Sequence, residues 1–166
     1  MSNENHPELV NQVAREVAEF QNAADLVDEA AAGRLGVNRT DQRCLGLLYG
    51  HGPLSAGQLA QASALSPGAT TTALDRLERA GYARRVRDPE DRRSVLVELT
   101  PEARRLIDEI YGPLGEAGRA HLARYSNEEL RFLRDFLREG RALQVEHAAR
   151  IRAASPAWAQ PYRGTR

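Results

Sequence analysis

Two groups of side chains in this sequence are of the types that hold phosphate and the edges of bases. Ser66, Gly68, Thr71, Thr72, Arg76 and Arg79 lie within one helical stretch, and Arg92 and Arg93 lie in a charged turn beyond it. Threonine hydroxyls donate to phosphate oxygens or touch a thymine methyl, and the planar guanidinium fork suits phosphate and guanine edges. Gly68 lets a backbone approach closely, and a helix N-terminus offers free N–H groups to an anion. An arginine-bearing turn is sized for a narrow groove of negative potential. Plainer readings stand beside these: Asp75 and Glu78 can hold Arg76 in surface pairs, and Asp88, Glu90 and Asp91 can neutralise Arg92 and Arg93. The chemistry is recognition, not bond-making. There is no Gly-rich phosphate loop, nucleophile elbow or HExxH. His6, His51, His121 and His147 form no pair at metal-ligand spacing, so no catalytic residue, metal or cofactor is expected.

The elements that must position these residues are written between Ser55 and Thr100. Ser55 with Gln58 three residues on is a capping box that opens a short helix over Leu59, Ala60 and Ala62. Ser66 as N-cap and Pro67 at the first helical position open a second. Ala69, Ala73, Leu74, Leu77 and Ala80 form its buried stripe, and Gly81 suits the position just past its end. Two short helices joined by a tight turn make a helix-turn-helix. Residues 82–87 and 94–99 then read as strands, the second alternating Val95, Val97 and Leu99 with Ser94, Leu96 and Glu98. Asp88 to Arg93 is the polar turn between them. The whole reads as a winged helix, or more plainly as a small α+β module with a solvated charge run.

The same residues resemble the core of the MarR family of bacterial transcription regulators. The likeness lies in the S-x-G-x-x-T-x-x-x-D-R-L-E-x-x-G-Y run from Ser66 to Tyr82, in Asp91 and Arg93, and in the L-T-x-E-A step from Leu99 to Ala103. It is close from Thr40 onward, while the flanks agree only in helical character and length. Thr70 stands where the family usually has an apolar residue. The resemblance implies a mainly α fold with a small β-hairpin wing, the winged helix-turn-helix core flanked by N- and C-terminal dimerisation helices. It implies that Asp91 orients Arg93 by a charge-assisted hydrogen bond rather than touching DNA. It also implies small aromatic or phenolic effectors held between the dimer helices and the DNA-reading lobe, for which Tyr49, His51 and Tyr111 are the candidates here.

Net charge is zero, which argues against indiscriminate coating of nucleic acid, but its distribution is uneven. Residues 1–65 carry 4 arginines against 8 acids, and residues 76–93 carry 7 against 4. All 23 basic residues are arginine, a global bias for which genomic base composition is the plain explanation. Apolar content of 42% is that of an ordinary globular chain, and no apolar run is long enough for a membrane-spanning helix. The start, MSNENHPELV, lacks the basic and apolar regions of a secretory leader, so a cytoplasmic chain is expected. Cys44, the only cysteine, reads as a small buried hydrophobe; the resemblance also offers a redox-sensor reading, for which it has no resolving partner.

Before the core, Pro7 can open a helix in which Val10, Val13, Val17, Phe20, Ala24, Val27 and Ala31 form a heptad-like seam ended by Gly33 and Gly36. Thr40 is the N-cap expected for the next helix. After the core, Thr100 with Pro101 caps a helix in which Pro113 predicts a kink or break. Ser126 with Glu129 forms a second capping box, opening a helix to about Arg152. The seams must pack on each other or on a second copy. Expected segments are 1–39 and 101–153 for dimerisation, 40–100 for the DNA-reading lobe, and an extended or disordered tail over 154–166, one MarR-like domain overall. The leading expectation is a homodimer on double-stranded DNA, reading a pseudo-palindrome as a repressor. The alternatives are a winged-helix module that docks a protein and not DNA, and an apolar-ligand carrier.

Overall fold

The computed structural model describes residues 5–91 and 93–154. Arg92 and the tail beyond residue 154, with its Trp158 and Tyr162, lie outside the described residues. Element order is α1 (His6–Leu35), α2 (Arg39–His51), β1 (Leu54–Ser55), α3 (Ala56–Ser63), α4 (Pro67–Arg79), β2 (Ala83–Arg87), β3 (Val95–Leu99), α5 (Pro101–Leu122) and α6 (Asn127–Ala153). The chain divides into two compact units, Met1–Gly112 and Pro113–Arg166. None of the described helices is long and apolar enough to cross a membrane.

Caps set most of the boundaries. Ser55 and Gln58 make the reciprocal capping box at the start of α3, and Ser66 accepts from the Ala69 amide at the start of α4. Thr100 caps α5 by accepting from the Ala103 amide, and Ser126 with Glu129 boxes the start of α6. The cap of α2 is Asn38 and not Thr40. The Asn38 side chain accepts from the Asp41 amide, so the helix starts one residue before Thr40. Asn ranks above Thr as a cap, which accounts for the choice.

Helix ends follow the same local logic. Gly36 and Gly81 take left-handed φ of 64° and 76°. Around Gly81 the Tyr82 amide returns to the Leu77 carbonyl and the Gly81 amide to that of Glu78, closing a Schellman motif on α4. Gly33, expected to help end α1, lies inside it. Ala64 ends α3 in the same way at φ 54°, without glycine's freedom. α5 runs unbroken through Pro113, where the sequence predicts a kink or break.

The first unit has one core. Leu45, Leu48, Leu59, Leu74, Leu77 and Val97 are its largest fully buried side chains, with Cys44 among them. The sheet is antiparallel in the order β1-β3-β2, with Leu54 opposite Val97 and Arg84 opposite Glu98. β1 was not foreseen, because two residues carry no periodicity. On β3, Val97 and Leu99 are buried but Val95 is half exposed, since it lies beyond the reach of the core towards the turn. Much of each seam lies in the open: Val10, Val13 and Phe20 on α1, and Phe132, Leu137 and Leu143 on α6, are exposed, whereas Ala31 at the end of the first seam is buried.

Ala64 generates a direct prediction. Ala64→Gly relieves a left-handed alanine at a helix end and should stabilise the chain by about 1 kcal/mol, less the entropy that glycine adds to the unfolded state. Urea unfolding should show a raised midpoint at unchanged slope.

Candidate nucleic-acid interface

The exposed side of α4 is built from its own N-terminus. With Ser66 and Pro67 fixing the start, Gly68, Thr71, Thr72 and Arg79 are exposed, whereas Ala73, Leu74 and Leu77 are buried. The three threonines make the same internal bond: Thr70 Oγ1 donates to the Ser66 carbonyl, Thr71 to Pro67 and Thr72 to Gly68, each at 3.0 Å. For Thr70 this satisfies the hydroxyl inside the core, where the residue is 1% exposed, and so accounts for a polar residue at an apolar position. For Thr71 and Thr72 the proton is engaged, while the oxygen's two lone pairs and the methyl group stay available to a partner.

Arg76 is not held by Asp75 or Glu78. Its Nε and Nη2 donate to the two oxygens of Asp41 at 2.9 and 2.5 Å, a bidentate pair from α4 to the first turn of α2. The Asp41 side chain is 6% exposed and that of Arg76 37%. Asn38, the α2 cap, adds a bond from Nδ2 to Asp41 Oδ2 at 3.0 Å. The hydrogen bonds it donates to Asp41 hold the Arg76 guanidinium above even its usual range, although burial opposes this. A carboxylate taken this far from water needs such a partner.

Asp75 and Glu78 pair with Arg85 of β2 instead. Arg85 Nη2 donates to Asp75 Oδ1 at 2.8 Å, Nη1 donates to Glu78 Oε2, and the Arg85 amide donates to Glu78 Oε1 at 3.1 Å. Beside it, Arg84 pairs across the hairpin with Glu98 at 2.6 Å. Arg87 lies two residues beyond Arg85, on the same side of the strand, and is exposed. It was not singled out from the sequence, although alternation from Arg85 could have found it.

At the hairpin turn, Asp91 acts on the backbone. Its Oδ1 accepts from the Arg93 amide at 3.0 Å and its Oδ2 from the Ser94 hydroxyl at 2.7 Å. The Ser94 hydroxyl first, and then the Arg93 amide, hold this carboxyl below its ordinary range. Asp91 thus fixes the residue that carries the guanidinium, through the main chain. Asp88 likewise accepts from the Glu90 amide at 2.9 Å. Arg79, Arg87 and Arg93 make no ion pair with any described residue; Arg79 Nε reaches only the Asp75 carbonyl, at 3.2 Å.

The candidate pocket residues divide. The Tyr111 hydroxyl donates to Asp28 at 2.9 Å and accepts from Gln42 Nε2 at 3.1 Å, joining α5, α1 and α2. Burial raises its pKa above the usual range. Tyr49 donates to Asp108 at 2.5 Å, and its ring lies under the Arg104 guanidinium, 5.4 Å from centroid to carbon. Asp108 is one turn before Tyr111 on α5, so the two tyrosines sit against neighbouring stretches of one face. His51 is exposed at the end of α2 and joins neither group. The Cys44 thiol is fully buried and pushed up by burial, then by Asp41, which opposes formation of a reactive thiolate.

The family model described as "MarR family" matches residues 37–95. The chain is 34% identical to the uncharacterised HTH-type transcriptional regulator YcgE of Bacillus subtilis, over 76% of this chain and 82% of that protein. It spans about half the length of two further B. subtilis regulators that it matches. Among solved structures it is similar to a MarR family protein from Bacillus stearothermophilus, with a TM-score of 0.61 and 21% identity over 85% of this chain and 99% of that one. It is also similar to NadR in complex with 4-hydroxyphenylacetate, with a TM-score of 0.54 and 26% identity over 84% and 94%.

A double-mutant cycle tests the buried pair. Arg76→Ala strands the Asp41 carboxylate and should lower the melting temperature by several degrees. Adding Asp41→Asn to it should recover part of that loss, and purely additive losses would contradict the coupling.

Proposed function

The chain belongs to the MarR family, and from that premise we propose that it is a sequence-specific DNA-binding regulator. It acts as a homodimer in the cytoplasm, and represses. α4 enters the major groove through Gly68, Thr71, Thr72 and Arg79, with Ser66 at the helix start, while the wing reaches the flanking minor groove through Arg92 and Arg93. Arg87 joins them from β2. Arg76 acts by orienting α4 against Asp41, and Asp91 by shaping the turn.

The observation that carries this reading is the division of the arginines. Arg76, Arg84 and Arg85 are matched to carboxylates within the fold, whereas Arg79, Arg87 and Arg93 have none among the described residues. Cations left uncompensated on a capped helix and an adjoining hairpin are what a phosphate backbone requires. The exposed apolar residues of α1 and of α6 support a second copy as the partner that covers them. The protein-docking alternative has no comparable observation.

The effector reading draws on Tyr49 and Tyr111, whose hydroxyls sit in polar groups beside the core. NadR binds 4-hydroxyphenylacetate, and a small phenolic acid is the class of ligand proposed here. Calorimetric titration with 4-hydroxyphenylacetate and related acids should give saturable binding that Tyr111→Phe weakens. Absence of heat from every member of the set counts against an effector of this class.

The DNA reading is tested by fluorescence anisotropy with the duplex upstream of the chain's own gene and a scrambled control. Binding should be confined to the first and fall steeply with salt. Arg79→Ala, Arg87→Ala and Arg93→Ala should each weaken it and reduce the log–log salt slope by about 1 per lost phosphate contact. Unchanged affinity and slope in all three variants would remove them from the interface.

A further inference from the structure

The recognition helix carries two acids on or beside the side assigned to DNA. Asp75 follows Thr71 by four residues and Thr72 by three, so it shares their side of α4, and Glu78 lies about one turn further on. Side-chain exposures of 49% for Asp75 and 27% for Glu78 leave both within reach of solvent. A carboxylate there faces phosphate, and like charges across an interface suppress binding.

The fold meets them with one residue. Arg85 of β2 engages Asp75 through Nη2, Glu78 through Nη1, and Glu78 again through its main-chain amide. Among the described residues these two acids have no other ion-pair partner, and Arg85 pairs with no other acid. The guanidinium is 40% exposed but has both Nη groups on carboxylates. One cation between two anions leaves the group at about one negative charge; without the cation it is about two.

We propose that Arg85 is a positioning and charge-masking residue for DNA binding, which screens Asp75 and Glu78 from the phosphates and does not itself contact DNA. This rests on the DNA-binding reading of the preceding section. Because the mask comes from the wing strand, any displacement of β2 from α4 would unmask both acids at once. A hairpin movement would thereby weaken binding electrostatically as well as by geometry. The arginine-rich run Arg84-Arg85-Arg87 therefore divides by role: Arg84 closes the hairpin on Glu98, Arg85 masks, and Arg87 faces the partner.

The test uses the full chain and a duplex enriched by the wild-type protein from a randomised pool, with anisotropy at one fixed salt concentration. Arg85→Gln should weaken binding about tenfold in the wild-type background. Asp75→Asn with Glu78→Gln should bind as tightly as wild type or tighter, because the acids to be masked are gone. In that neutral background Arg85→Gln should cost less than about twofold. An equal loss in both backgrounds overturns the proposal in favour of a direct DNA contact. A loss caused by the Asp75/Glu78 pair alone, matching that of Arg85→Gln, overturns it in favour of a purely mechanical strut. No loss from Arg85→Gln in the wild-type background overturns it outright. The double-neutral variant decides the question even if Arg85→Gln unfolds. Failure of the wild-type protein to enrich any duplex strikes the DNA-binding reading itself, which keeps the two failures apart.

Discussion

The ion pair of buried Asp41 with half-buried Arg76 is the constraint from which the orientation of α4 follows. Asp41 lies in the first turn of α2, where its carboxylate is nearly removed from water, and the opposing guanidinium comes from the last turn of α4. Neither helix can rotate about its axis without separating two short, charge-assisted bonds. Asn38 ties this to secondary structure, since one side chain both caps α2 and donates to the same carboxylate. Start of helix, satisfaction of a buried charge and orientation of the exposed threonines are thus one cluster. Leu74 and Leu77 supply burial beneath it, and burial is non-directional. The ion pair supplies direction.

Zero net charge is compatible with the proposed binding of nucleic acid because the charges are allocated. Four acids of α2, α4 and β3 are engaged by arginine: Asp41 by Arg76, Asp75 and Glu78 by Arg85, and Glu98 by Arg84. Asp88 and Asp91 serve the turn backbone rather than neutralising Arg93. On α4 and β2, what remains without an ion-pair partner among the described residues is arginine, at Arg79 and Arg87. A count over a sequence window gives the excess, but the pairings decide which residues carry it.

Much of this was legible in the sequence, where local chemistry dictates structure. Ser55, Ser66, Thr100 and Ser126 act as the caps their spacing announces, and Gly81 ends α4 as expected, because a cap needs only its neighbours. The MarR likeness reads from contiguous motifs for the same reason. What escaped was non-local. Arg76 and Asp41 are 35 residues apart and Arg85 and Asp75 are 10, so sequence proximity offered Arg76 only Asp75 and Glu78 as pairing acids and missed Asp41. Thr40 was preferred to Asn38 as a cap, although the Asn38–Asp41 bond was within local reach. Strand alternation placed Val95 inside, but the core ends before it. Which residues touch DNA or effector is still a proposal, since those contacts belong to a complex.

The most direct measurement of the central claim is selection of duplexes from a fully randomised pool by the purified chain, followed by sequencing. The account predicts enrichment of a pseudo-palindrome whose half-sites lie about 10 base pairs apart, centre to centre, as two copies of α4 in successive major grooves require. Enrichment of a single unpaired half-site would contradict the dimer. No enrichment over the input pool, with binding insensitive to salt, would contradict sequence-specific DNA recognition altogether.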